Sequence, residues 1–154
     1  MSADNQQERL DWWIVGFVDG EDTFSVSFNK NVTTKSGYQI FPEFVITQGE
    51  KSIEALETIK NRFQCGKLYI NRRKDNHKED LYRFVVRSLS DLQKIIIPFF
   101  QKYSLKTAKQ KDFQIFVNVI ELMVQKKHLV QSGFEQIKCL AESMNRKQSR
   151  ILRH

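Results

Sequence analysis

Leu10, Trp13, Ile14, Phe17 and Val18 recur at the i, i+3, i+4, i+7, i+8 spacing of a helix face turned toward a core, and Glu21 falls on the same sector one turn later. The other side carries Trp12, Val15, Gly16 and Gly20 instead of the charged residues of a solvated helix. A helix that is apolar nearly all round needs a second surface to pack on. Gly16 and Gly20, one turn apart, leave room for another backbone there.

After the acidic turn the period changes from helical to two. Phe24, Val26 and Phe28 alternate with Ser25, Ser27 and Asn29, as in a strand with one dry and one polar face. The polar, glycine-ended stretch 31–37 reads as a hairpin connection, followed by a second strand over 38–48 whose Pro42 suggests an edge or a bulge. The spacing of Ile53, Leu56, Ile59, Lys60 and Phe63 predicts a helix over 52–63 that ends at Cys65 and Gly66. Two further strands, 67–72 and 81–87, flank a charged loop at 73–80. Helical patterns return from Ser90, stop near Pro98, resume over 107–125 and finish over 132–144, where Ser132 and Glu135 form a capping-box pair.

That order suits one α+β domain over 1–154, with a four-stranded antiparallel sheet and helices packed on one face. The sheet's other face is then open and carries Ser25, Ser27, Asn29, Gln39, Glu43, Lys67, Tyr69, Asn71, Arg73 and Arg83. Phe41 and Val45 on the same face could meet thymine methyl groups in a groove. A solvated sheet face needing no function is the alternative.

Charge shifts that balance. Lysine and arginine total 25 against 18 acidic residues, a net charge of +7 over 154 residues, which favours a polyanionic partner. Nucleic acid gains over an anionic membrane because no apolar run approaches the ~20 residues that span a bilayer. The N-terminal stretch lacks the basic and apolar regions of a signal peptide, so a soluble intracellular protein is expected. Cys65 and Cys139 are far apart, and His77, His128 and His154 show no paired spacing; neither set suggests zinc, a disulfide framework or a nucleophilic triad.

The acids carry the chemistry. Asp19, Glu21 and Asp22 cluster where the apolar helix stops, and phosphodiester hydrolysis is served by a divalent metal held by carboxylate. Residues 14–22, Ile14-Val15-Gly16-Phe17-Val18-Asp19-Gly20-Glu21-Asp22, resemble the nine-residue signature of the LAGLIDADG homing endonucleases. Val15 stands where the family has a small residue, and Asp22 replaces the closing glycine in a turn that aspartate tolerates. Segments 44–48, 65–70, 97–100 and 105–113 are similar to later family segments in the same order, so the resemblance covers about residues 10–145.

The resemblance implies a saddle-shaped αββαββα domain and site-specific cleavage of both strands of double-stranded DNA, leaving 3′ overhangs. It implies Mg2+, or another divalent cation such as Mn2+, held by the Glu21 carboxylate and the Gly20 carbonyl. Gln48 resembles the family's solvent-orienting residue, while Lys106 and Lys109 both resemble its basic group, and the sequence does not choose between them. Asp19 is implied to stabilise helix ends and interface. Only one copy of the motif is present, which implies a homodimer through Trp12, Val15, Gly16, Asp19 and Gly20 and a long pseudo-palindromic target. The basic tail 146–154 reads as a loosely ordered terminus, with contact to phosphates as the alternative.

Such proteins occur in an organelle, chloroplast or mitochondrion, or in a prokaryotic cytoplasm. A same-fold maturase bound to intron RNA, a non-cleaving DNA-binding protein and a basic module with no nucleic-acid role are the alternatives.

Overall fold

Residues 3–21, 23–72 and 80–144 are described by the computed structural model. In chain order they form α1 (Ala3–Asp19), β1 (Phe24–Lys30), β2 (Tyr38–Gly49), α2 (Ile53–Phe63), β3 (Lys67–Asn71), β4 (Leu81–Val86), α3 (Leu89–Asp91), α4 (Ile97–Lys102), α5 (Lys109–Val124) and α6 (Gln131–Met144). The four strands make one antiparallel sheet in the order β1-β2-β4-β3. This is the α+β architecture that the alternation of periods implied.

One face of the sheet is dry. Phe24, Val26, Ile40, Phe44, Ile46, Phe84 and Val86 point from it into a core shared with Leu56, Ile59, Ile96, Phe100, Phe113, Phe116 and Ile120 of the helices. The Phe24 ring lies 5.2 to 5.8 Å from the rings of Phe44, Phe100, Phe113 and Phe116, in tilted and edge-on arrangements that suit aromatic quadrupoles. This cluster fixes the start of β1 immediately after the acidic turn.

The core stripe of α1 is rotated from the one its apolar residues suggest. Ile14, Val15 and Val18 are buried, whereas Trp13 is 42% exposed and Phe17 only half-buried. The cause is Asp11, which sits on the buried face with 1% exposure. Arg62 meets its carboxylate through Nε at 2.6 Å and Nη2 at 3.1 Å, and Gln7 Nε2 donates to it at 3.1 Å. A buried charge that is fully paired turns the helix by about one position, and a count of apolar residues does not register it.

Pro42 follows from the register. It pairs with Val26 of β1 but lies beyond Phe44↔Val86, the last pair between β2 and β4, so β2 is central along one half and an edge along the half that holds the proline. The helical stretch after β4 does not stop at Pro98. A wide π turn over Leu92–Ile96, in which the Ile97 N–H reaches the Leu92 carbonyl, joins α3 to α4 and accommodates a residue that cannot donate to the turn before it.

Two helix ends also differ from expectation. The C-cap of α2 is Gln64 in the left-handed region at φ 56°, while Gly66 at φ 86° belongs to the approach to β3. A Cβ on Gly66 would meet the Phe84 ring at 2.5 Å. The last helix starts at Gln131, so Ser132 lies inside it, and Glu135 accepts from Gln131 Nε2 at 2.9 Å instead of closing a capping box. Among the described residues no helix is long and apolar enough to cross a membrane.

Candidate active site and nucleic-acid face

The end of α1 turns sharply. The Gly20 N–H donates to Phe17 O at 3.3 Å and the Glu21 N–H to Val18 O at 3.0 Å, tightening the last turn before the chain enters β1. Glu21 is left half-buried, and Gln48 near the end of β2 donates from Nε2 to Glu21 Oε1 at 2.8 Å. Residues 27 positions apart in the chain therefore form one site, and the amide fixes one carboxylate oxygen while the other remains available.

The corner at the end of α1 is acidic. Asp19 and Glu21 stand at the negative end of the α1 dipole, no basic residue lies in its last turn, and among the described residues Glu21 has no ion-pair partner. No group of three acidic, histidine or cysteine side chains suited to a metal occurs among them either. A single carboxylate of this kind is a donor that a hard, well-hydrated ion accepts when water and phosphate oxygens complete its shell.

Asp19 faces its own chain. Its carboxylate accepts from the N–H groups of Lys106 and Thr107 at 2.8 and 3.3 Å and from Thr107 Oγ1 at 2.9 Å. Thr107 Oγ1 in turn accepts from the Lys109 N–H at 3.2 Å. Asp19 is a clamp between the end of α1 and the start of α5, where its charge suits the positive helix end. Of the two lysines, Lys106 places Nζ 5.4 Å from the centre of the Trp12 ring, a cation–π contact, and Lys109 is half-buried in the first turn of α5. Asp22 lies outside the described residues.

The outward side of α1 presents Trp12, Gly16 and Gly20 as expected, with Trp12 41% exposed. Val15 does not belong with them: at 2% exposure it is part of the core, for the reason that buries Asp11. Trp13, read as inward, joins this side instead, with its ring centre 5.5 Å from that of Phe17, which is half-buried against the edge of the core. A Cβ on Gly16 would meet nothing of its own chain within 4 Å, and one on Gly20 only an ordinary contact with Phe17 O. Neither glycine is required by packing within the chain.

The open sheet face carries the residues that alternation assigned to it. Ser25, Ser27, Asn29, Gln39, Lys67, Tyr69 and Asn71 are exposed, Phe41, Glu43 and Arg83 half-buried, and Val45 is buried among them. Arg73 lies outside the described residues, as do the basic tail, His77 and His154. Thr47, opposite Arg83, and Arg87 share the face and were missed, although the parity of Leu81, Arg83 and Val85 points to both. Arg87 Nε lies 3.3 Å from Glu43 Oε1, and its guanidinium carbon 5.6 Å from the Tyr69 ring centre.

Among the described residues, Cys65, Cys139 and His128 make no hydrogen bond to Asp19, Glu21 or Gln48. Cys139 is exposed, and the partly buried Cys65 has its thiol pushed up to about 11 by burial first and by Asp91 second. Burial also lowers His128, whose Nδ1 is without a hydrogen-bond partner.

Comparison with known proteins bears on family and fold. A family model described as LAGLIDADG endonuclease matches residues 14–120. "Probable intron-encoded endonuclease 2" of Neurospora crassa is 36% identical over 126 residues, covering 81% of this chain and 27% of its own length. The crystal structure of the homing endonuclease I-TnaI superposes with a TM-score of 0.77 at 38% identity, covering 88% of this chain and 87% of that one. I-SmaMI bound to uncleaved DNA target in the presence of calcium ions gives 0.79 at 37% identity, over 88% of this chain and 45% of that one. The chain spans 25 to 42% of the length of the first curated relatives it matches.

Proposed function

The chain belongs to the LAGLIDADG endonuclease family, and on that premise we propose that it is a site-specific double-stranded DNA endonuclease, active as a homodimer with a divalent metal ion. The contact between Gln48 Nε2 and Glu21 Oε1 carries this reading. It places a positioned carboxylate at the end of a strand whose sheet offers an open polar and basic face. The net charge of +7 suits a duplex partner, and the DNA and calcium of the I-SmaMI structure support both the substrate and the metal.

Glu21 holds the metal, Mg2+ in the reading favoured here, with the Gly20 carbonyl beside it. When bound, such an ion supplies charge neutralisation at a scissile phosphate and a more acidic water. Gln48 keeps the Glu21 carboxylate from rotating and offers an amide that orients solvent at the same corner. Lys109, at the start of α5, is the better placed of the two lysines to act on phosphate, because Lys106 directs its ammonium onto Trp12. Asp19 fixes the segment that presents both.

One carboxylate per chain serves one strand. Two copies meeting along Trp12, Trp13, Gly16, Phe17 and Gly20 bring two Glu21 sites together, and the open sheets then lie along successive stretches of one groove. Coverage of 87% of I-TnaI but 45% of I-SmaMI supports a chain that is one unit of such an arrangement. The target is accordingly long and pseudo-palindromic, with staggered cuts that leave 3′ overhangs. The deciding experiment is digestion of a randomised duplex library with magnesium, sequencing the ends. Symmetric sites cut on both strands support the proposal, and an uncut library with bound, unmodified duplex would replace it with a non-cleaving DNA-binding protein.

A further inference from the structure

Glu43 is an acid in the middle of a face that meets a polyanion, and its surroundings account for it. It stands opposite Ser25 in the β1–β2 ladder, and Arg87 follows directly after the β4 residue paired with Phe44, so Ser25, Glu43 and Arg87 share one row across the sheet. The Glu43 side chain is 15% exposed, while that of Arg87 is 50% exposed. Glu43 Oε1 contacts Arg87 Nε at 3.3 Å, Oε2 lies 4.0 Å from Arg83 Nη2, and the Tyr69 ring lies 5.6 Å from the Arg87 guanidinium carbon. Tyr69 is itself opposite Arg83, which closes the cluster across β2, β4 and β3.

Two arginines and one glutamate leave the cluster with one net positive charge. The Nε side of the Arg87 fork is turned to the carboxylate and its plane is held near an aromatic ring, so the terminal nitrogens are the part left for a ligand. A lone glutamate on this face would repel phosphates, whereas one that holds an arginine removes rotamer freedom before binding. A fixed planar fork with two parallel donors matches the O6 and N7 acceptors of guanine in the major groove.

We infer that Arg87 reads a guanine in each half of the target and that Glu43 is a positioning residue acting through it, with Tyr69 supporting the guanidinium plane. This rests on the DNA-binding reading above. Glu43 therefore does not accept from a cytosine amine itself, the other contact its chemistry allows.

The test is selection of bound duplexes from a randomised library by the full chain with calcium ions, for the wild type and for Arg87→Ala, Arg87→Lys, Glu43→Gln and the double variant Glu43→Gln/Arg87→Ala. Arg87→Ala and Arg87→Lys are expected to lose about tenfold to a hundredfold of guanine preference at one symmetry-related position, other positions keeping theirs. Glu43→Gln should weaken preference at that same position and add nothing in the Arg87→Ala background. Unchanged profiles in the arginine variants, uniformly weaker binding to all sequences by Arg87→Lys, or a separate cytosine preference lost in Glu43→Gln would each overturn the inference. A wild type that selects no sequence would instead remove the underlying DNA reading, and this inference with it.

Discussion

The amide of Gln48 and the carboxylate of Glu21 meet at 2.8 Å, joining the end of β2 to the last turn of α1. The acid is oriented by a side chain from a different element, so its geometry depends on sheet and helix packing together. Glu21→Gln is expected to abolish cleavage while leaving duplex affinity intact, since the sheet face is untouched. Gln48→Ala, which frees the carboxylate to rotate, should cost about 10–100-fold in cleavage rate at fixed magnesium. Single-turnover cleavage beside a binding titration measures both, and normal cutting by Glu21→Gln would refute the assignment.

Gly16 lets the proposed self-association be tested apart from folding. Because a Cβ there meets nothing of its own chain, Gly16→Ala should raise monomer stability by about 0.5–1 kcal/mol through helix propensity. The larger Gly16→Leu should dissociate the proposed dimer with no loss of monomer stability. Sedimentation combined with urea denaturation distinguishes the two effects, and a dimer that survives Leu at this position would place the interface elsewhere.

Asp19 closes the junction between α1 and α5 by accepting three hydrogen bonds from Lys106 and Thr107. Asp19→Ala is expected to cost about 1–2 kcal/mol, the range of a lost helix-terminal cap. Cleavage should fall with it, because the segment leading to Lys109 is released, whereas Thr107→Val should reproduce a smaller part of both losses. Chemical denaturation of the two variants tests the order.

The alternation of Ser25, Ser27 and Asn29 with Phe24, Val26 and Phe28 was sufficient to assign both faces of β1, because a half-buried strand has one periodic constraint. Glu21 and Gln48 were legible as candidates only through the motif and a later segment; their contact depends on the turn and on sheet register. The rotation of α1 was not legible, since it is set by a charged residue that gains a partner 51 positions away. Pro98 misled for a similar reason: a π turn placed ahead of it removes the conflict that ends most helices.

The Asp11–Arg62 pair gives that rotation an energetic signature. Arg62→Met leaves a carboxylate of 1% exposure without its cation and should destabilise by about 2–3 kcal/mol, below the ~3–5 of fully buried pairs because Arg62 is 30% exposed and partly screened. Replacing both partners, Asp11→Leu with Arg62→Met, should recover much of the loss by removing the buried charge altogether. A double-mutant cycle in urea reads the coupling, and additive losses would show that the pair does not set the packing of α1.

Cys65 supplies a pH dependence whose sign follows from its surroundings. Burial raises its thiol from 9.0 to about 11, so the folded state keeps a proton that the unfolded chain releases at lower pH. The contribution to stability is therefore complete below about pH 9 and is lost as the pH climbs toward about 11. Cys65→Ala should flatten this alkaline decline, as read by thermal unfolding between those pH values. The same protonated thiol should react with a disulfide reagent at pH 8 more slowly than exposed Cys139, since the thiolate is the nucleophile. Equal reaction rates at the two cysteines would contradict the partial burial of Cys65.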